Sequence, residues 1–136
     1  MIIADTSGLL SSYVESGPQH EAVVEWMEKR DPVLVVSPLV VAEVDYLVAT
    51  RKGVEAELAV LRELASGAYE LATMDADDLA AGARLVERYR DLGIGITDAS
   101  LVVLAERYRT RTILTLDRRH FGVLRPLSGG RFTLVP

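Results

Sequence analysis

The chain of 136 residues is long enough for one domain with a buried core, and we expect residues 1–136 to form a single domain. It contains no cysteine, which excludes disulfides and thiolate metal sites, so a metal would have to be held by carboxylates or by one of two histidines. No apolar run approaches the roughly 20 residues that span a bilayer, and the start lacks the charges of a signal peptide. These features predict a cytoplasmic protein that does not bind membranes.

The net charge of −5 argues against a nucleic-acid partner, but it hides an asymmetry. Residues 101–136 contain seven arginines and two acidic residues, a balance of +5, so residues 1–100 carry −10. A basic segment beside an acidic body is typical of a metal-dependent enzyme that acts on a polyanion, and equally of ordinary solvated surface.

Five short runs predict β-strands. The first runs straight into Asp5, Thr6 and Ser7 without the alternation of a half-buried strand, so it predicts a strand buried on both faces. The second and fourth are rich in β-branched residues. The predicted strands cover residues 1–4, 32–38, 69–72, 112–116 and, as an edge strand, 132–135.

Helical patterns lie between these strands, over residues 8–16, 19–30, 39–51, 54–65, 76–92 and 99–108. The third is apolar nearly all round and is expected to be buried, and the fifth is expected to pack through Leu79, Ala83, Val86 and Tyr89. Strands that alternate with one or two helices predict an α/β fold, in which helices cover both faces of a mostly parallel sheet of four to five strands.

Four acidic residues stand apart because each borders an apolar segment. Asp5 and Asp117 follow strands, Glu43 lies one turn into a helix after another strand, and Asp98 opens a helix behind a glycine loop. We expect all four at the carboxyl edge of the sheet, although Asp5 taken alone is equally well explained as a helix N-cap. Four clustered carboxylates must either take up protons or bind a cation, and oxygen ligands suit Mg²⁺ or Mn²⁺.

Four segments carry a resemblance to a known family. They are IADTS at residues 3–7, SPLVVAEV at residues 37–44, ITDASL at residues 96–101 and LTLDRRHF at residues 114–121. In this order they resemble the PIN domain, and within it the VapC toxins of bacterial type II toxin–antitoxin pairs. The resemblance covers essentially the whole chain and implies a three-layer α/β/α PIN fold.

The resemblance also implies an activity and a site. The metal-binding acids of the family fall on Asp5, Glu43, Asp98 and Asp117, and the activity would be that of a Mg²⁺- or Mn²⁺-dependent endoribonuclease that leaves a 5′-phosphate and a 3′-hydroxyl. Family members often hold a hydroxyl near the first aspartate, which here would be Thr6 or Ser7. Water made more acidic by the cation would attack the phosphodiester, so no nucleophilic side chain is required.

Partners follow from the same resemblance. Toxins of this family form homodimers and are held inactive by a small antitoxin, and helix residues Val23, Trp26 and Met27 are candidates to line its groove. The substrate would be RNA, such as tRNA or another structured RNA. Arg118 and Arg119, directly after Asp117, are the best placed of the seven arginines to contact its phosphates.

His120, two residues after Arg118, could approach the substrate, but we expect it to be structural or solvated. Three alternative classes remain. The first is a non-catalytic PIN-like module that binds metal or RNA. Dehalogenase-like phosphatases and receiver domains also place an aspartate after the first strand, but they need a lysine after a late strand. The two lysines here, Lys29 and Lys52, lie near the ends of helices instead.

Overall fold

Five short strands form one fully parallel sheet at the centre of the molecule. A computed structural model describes residues 1–15 and 17–136. The strands are β1 (Ile2–Ala4), β2 (Leu34–Val36), β3 (Glu70–Leu71), β4 (Thr112–Leu114) and β5 (Thr133–Val135). Their order in the sheet is β3-β2-β1-β4-β5, and every neighbouring pair is parallel. The predicted α/β fold is therefore confirmed.

Seven helices connect the strands in the described part of the chain. They are α1 (Thr6–Tyr13), α2 (His20–Arg30), α3 (Pro38–Lys52), α4 (Val54–Leu64), α5 (Ala76–Arg88), α6 (Ile96–Arg107) and α7 (Arg118–Phe121). The sheet grows in one direction from β1 to β3 and then returns past β1 to β4. Right-handed crossovers therefore place α1 to α4 on one face and α5 and α6 on the other, as the three-layer arrangement requires.

The central strands are apolar because they are covered on both faces. Ile3 and Ala4 of β1, all three residues of β2, and Ile113 and Leu114 of β4 are buried. Helix α6 contributes seven consecutive buried residues, from Ala99 to Ala105, which is why the sequence reads as apolar all round there.

Helix α1 approaches β4 so closely that a side chain at residue 8 would not fit. A Cβ on Gly8 would lie 2.7 Å from the backbone oxygen of Leu114. The glycine thus lets the start of α1 contact the end of β4 directly. This contact brings the loop after β1 next to the loop after β4.

Several predictions about the helices were wrong in detail. Helix α1 begins at Thr6 and not at residue 8, while its predicted end at Ser16 lies outside the described residues. Helix α3 is not buried all round, because only Val40, Val44 and Val48 are buried, on one stripe. In α5 the buried residues are Gly82 and Leu85, whereas Leu79 and Ala83 are exposed.

Val23, expected to line a groove for a partner, is fully buried in the core, so it offers no surface to a second chain. Trp26 and Met27 are half-buried against the same core. None of the helices in the described residues is both long and apolar enough to cross a membrane.

Candidate metal centre

Asp5 lies at the carboxyl end of the central strand and is buried. Its Oδ1 accepts a hydrogen bond from the backbone N–H of Thr6 at 2.8 Å, so it is indeed the N-cap of α1. Its Oδ2 accepts from the hydroxyls of Ser7 (2.8 Å) and Thr115 (2.7 Å). Burial raises the pKa of Asp5, the hydrogen bonds oppose this, and the charge of Asp117 adds to the increase. Asp5 is thus both a cap and a member of an acidic cluster.

Glu43 projects from the exposed side of α3. Its carboxylate accepts hydrogen bonds from the hydroxyls of Thr6 (2.6 Å) and Thr97 (3.0 Å), which are the neighbours in sequence of Asp5 and Asp98. The structure therefore links Glu43 to the other acids through two threonines.

A buried hydroxyl pair fixes the start of α3 against the start of α6. Ser37 caps α3 by accepting a hydrogen bond from the N–H of Leu39, and its Oγ lies 3.0 Å from that of Ser100. The hydroxyl of Ser100 also bonds to the carbonyl of Thr97 at 2.6 Å. Both serines are fully buried, so they hold the two helices that carry Glu43 and Asp98 in a fixed relation.

Asp98, Asp117 and His120 form the tightest cluster of the site. One donor atom from each lies within 4.8 Å of the other two. Nδ1 of His120 lies 2.9 Å from Oδ2 of Asp98 and 3.0 Å from Oδ2 of Asp117. Asp98 stands in the first turn of α6, and Asp117 caps α7. These three side chains come from two separate segments, the first turn of α6 and the segment that follows β4.

The pKa of Asp98 is strongly raised. Burial, followed by the charge of Asp5, raises its pKa to about 6; the nearby His120 opposes this and Asp117 adds to it. A carboxylate in such an environment is unfavourable unless a cation compensates it. A strongly perturbed carboxyl group beside other acidic residues is typical of functional sites.

The donor set fits a divalent cation. Carboxylate oxygens are the ligands that Mg²⁺ and Mn²⁺ prefer, and Asp98, Asp117 and His120 offer three donor atoms close together. Asp5 is not a member of that group of three, but its charge raises the pKa of Asp98, and the charge of Asp117 raises the pKa of Asp5. The acidic cluster is thus able to bind a metal ion.

The arginines expected to contact substrate are exposed. Arg118 and Arg119 form the first turn of the short helix α7, directly after Asp117. In the described part of the chain neither pairs with an acidic side chain, whereas Arg107 forms an ion pair with Asp78. Both guanidinium groups are therefore available beside the acidic cluster.

Three polar residues of the site were not predicted to belong to it from the sequence. His120 was expected to be structural or solvated, yet it contacts two of the four acids. Thr97 and Thr115 hold Glu43 and Asp5. The available signal was their position, because all three lie inside the segments that carry the family resemblance.

Comparison with known proteins identifies the family. The model of the PIN domain matches residues 2–124. A curated relative, Ribonuclease VapC26 of Mycobacterium tuberculosis, is 62% identical over 135 residues, which cover 99% of this chain and 100% of the relative. The chain therefore belongs to the PIN domain family and, within it, to the VapC ribonucleases.

Solved structures share the fold at lower identity. VapC20 of Mycobacterium tuberculosis, described as a toxin that cleaves the sarcin–ricin loop, matches with a TM-score of 0.80 and 19% identity over 86% of this chain and 90% of its own. VapBC2 of Rickettsia felis, bound to a DNA fragment from its promoter, matches with a TM-score of 0.71 and 19% identity over 100% of both chains. FitAcB of Neisseria gonorrhoeae matches with a TM-score of 0.66 and 20% identity over 98% of this chain and 97% of its own. At these identities the matches show the fold.

Proposed function

We propose that this protein is a Mg²⁺- or Mn²⁺-dependent endoribonuclease and the toxin of a toxin–antitoxin pair, with residues 1–136 as a single PIN domain. The observation that carries the proposal is the cluster of Asp98, Asp117 and His120 beside the buried Asp5, in a chain 62% identical to a ribonuclease.

Four acids would hold the cation, namely Asp5, Glu43, Asp98 and Asp117. The bound ion supplies activation of water and stabilisation of negative charge at the scissile phosphate. The hydroxyls of Ser7 and Thr6 orient Asp5 and Glu43 through hydrogen bonds of 2.8 and 2.6 Å. Because these donors are fixed before substrate arrives, the carboxylates need little reorganisation to take up the ion.

The substrate is RNA, and a structured RNA such as a tRNA is the class that we propose. Arg118 and Arg119 would bind phosphates beside the cleaved bond, because they follow Asp117 directly and are exposed. Contacts to phosphates add affinity without sequence preference, so the choice of RNA would depend on other parts of the surface.

The partner would be a cognate antitoxin in the cytoplasm. One of the structural neighbours, VapBC2, is a VapBC complex, which supports a partner of this type. A cluster of carboxylates that attracts a divalent ion also attracts an arginine or lysine side chain, so an antitoxin and the metal should compete for it. We propose that the toxin itself is a homodimer. An isolated chain that stays monomeric and binds no product of the neighbouring gene would contradict this assignment.

The direct test of the activity uses Asp98→Asn, with Asp91→Asn as a matched control at an exposed turn residue. We expect wild type and Asp91→Asn to cleave RNA, to lose activity on chelation, and to regain it with Mg²⁺ or Mn²⁺. Asp98→Asn should fold normally and lose activity by at least about 100-fold, because it removes a charged ligand. Undiminished cleavage by Asp98→Asn at saturating metal would refute the proposed site. Metal binding without any cleavage would instead favour a non-catalytic PIN-like module.

A further inference from the structure

The imidazole of His120 lies close enough to the carboxylates of Asp98 and Asp117 for the three side chains to bind one metal ion. Its Nδ1 is 2.9 Å from an oxygen of Asp98 and 3.0 Å from an oxygen of Asp117. In an octahedral site with donors about 2.1 Å from the ion, neighbouring ligand atoms are about 3.0 Å apart and opposite ones about 4.2 Å apart. The two distances from Nδ1 match neighbouring ligands, and all three donor atoms lie within 4.8 Å of one another.

The backbone fixes this position. Oδ1 of Asp117 accepts a hydrogen bond from the N–H of His120 at 3.0 Å, which caps α7 and leaves Oδ2 facing the imidazole. The carbonyl of His120 accepts hydrogen bonds from the N–H groups of Val123 and Leu124. The side chain of His120 is about four-fifths buried, with 22% exposed, so it is held towards the acids and not towards solvent.

We propose that His120 is a nitrogen ligand of the metal ion, together with Asp98 and Asp117, an inference that rests on the proposed function. Mg²⁺ takes oxygen ligands almost exclusively, whereas imidazole suits transition metals. His120 therefore shifts the preference of the site from Mg²⁺ towards Mn²⁺. Only a ring nitrogen without a proton can ligate a metal, so ligation through Nδ1 places the ring proton of the neutral imidazole on Nε2.

The rival role for His120 is that of a hydrogen-bond donor that only orients the two carboxylates. His120→Asn separates the two roles, because its amide can still donate a hydrogen bond from nearly the same position but supplies no imidazole nitrogen. His120→Ala removes both functions. The chain contains only one other histidine, His20, whose Nδ1 lies 2.7 Å from the carbonyl oxygen of Ser11, and His20→Gln is the matched control.

The experiment is pulsed electron paramagnetic resonance of Mn²⁺ bound to tag-free protein, combined with titrations of Mn²⁺ and Mg²⁺. We expect the modulation of a directly coordinated imidazole ¹⁴N in wild type and in His20→Gln, and its loss in His120→Asn. We also expect His120→Asn to weaken Mn²⁺ binding about 10- to 100-fold and to change Mg²⁺ binding less.

Two results would overturn the proposal and leave the nuclease function standing. The first is tight Mn²⁺ binding by active wild-type protein without ¹⁴N modulation. The second is an Asn variant whose Mn²⁺ affinity equals that of wild type while the Ala variant is weakened, which would make His120 an orienting donor. A protein that binds neither ion would overturn the proposed function and this ligand with it.

Discussion

Three donors surround the Asp5 carboxylate before any cation is present. They are the N–H of Thr6 and the hydroxyls of Ser7 and Thr115. Thr115 also accepts a hydrogen bond from the N–H of Asp117 at 2.9 Å, so one hydroxyl connects two of the four acids. A buried carboxylate with satisfied hydrogen bonds is held in place, so it needs little reorganisation to bind a cation.

The raised pKa of Asp98 makes the stability of the metal-free protein depend on pH. Because its folded pKa of about 6 lies above the ordinary value of 3.8, the folded chain binds more protons than the unfolded chain between these values. The contribution of Asp98 to stability is thus greatest below about pH 4 and is lost as the pH rises through about 6. In chelator at pH 8, Asp98→Asn should be more stable than wild type by about 1–3 kcal/mol.

Urea unfolding of both proteins from pH 4 to pH 8 measures this difference and cancels the titrating groups that do not interact with Asp98. The advantage of Asp98→Asn should shrink towards pH 4. Saturating Mn²⁺ at pH 8 should reverse the order, because only wild type retains the full ligand set. A stability difference between the two proteins that does not change with pH would show that the pKa of Asp98 is not raised in the folded protein.

At the level of secondary structure, the sequence predicts the strands and the order of elements well because buried parallel strands have a distinctive apolar composition. Asp5, Glu43, Asp98 and Asp117 could be selected for the same reason, since each interrupts or follows an apolar segment. His120 could not, because the four-residue helix α7 has no periodic pattern of its own. Its side chain is directed by the local cap at Asp117 and contacts Asp98, which only the folded chain brings close to it.

The buried face of α5 could not be predicted correctly from the sequence pattern. The helix packs closely on α6 through Gly82, where a Cβ would lie 2.6 Å from the side chain of Ile96. A glycine adds nothing to an apolar stripe counted from the sequence, so Leu79 and Ala83 were assigned to the buried face. Close contacts between helices through small residues therefore cannot be recognised from a count of apolar residues.

The close contact between α1 and β4 predicts that stability depends on the absence of a side chain at Gly8. Gly8→Ala should destabilise the protein by about 1–3 kcal/mol, because the new methyl group would overlap the backbone oxygen of Leu114, which cannot rotate away. The control is Gly17→Ala, since a Cβ there would meet only the carbonyl oxygen of Val14 at 3.8 Å, an ordinary contact, and the residue lies outside the helices. Thermal unfolding of both variants measures the effect. Equal melting temperatures for wild type and Gly8→Ala would show that α1 can shift away from β4.

For the molecule as a whole, the distribution of charge sets how RNA would bind. Arg118 and Arg119 lie after β4, near the acids, while Arg109 and Arg111 precede the same strand at the opposite edge of the sheet. Arg118→Ala/Arg119→Ala should reduce the salt dependence of RNA binding by up to about two phosphate contacts, each worth a slope of about 0.7 for single strands. Arg109→Ala/Arg111→Ala changes the net charge equally and should leave the slope nearly unchanged. Equal effects of the two double variants would indicate a general influence of charge.

The pairing of β1 with β4 also sets when during synthesis the site can form. Ile3 is the partner of Ile113 in the sheet, and Ala4 is the partner of Leu114. Asp5 precedes Thr115, Asp117 and His120 by 110 or more residues along the chain. A nascent chain on the ribosome therefore cannot complete the acidic cluster until the segment that contains β4 and α7 has emerged. Because the cluster depends on a pairing between distant segments, it should form late in folding, as contacts of high sequence separation do.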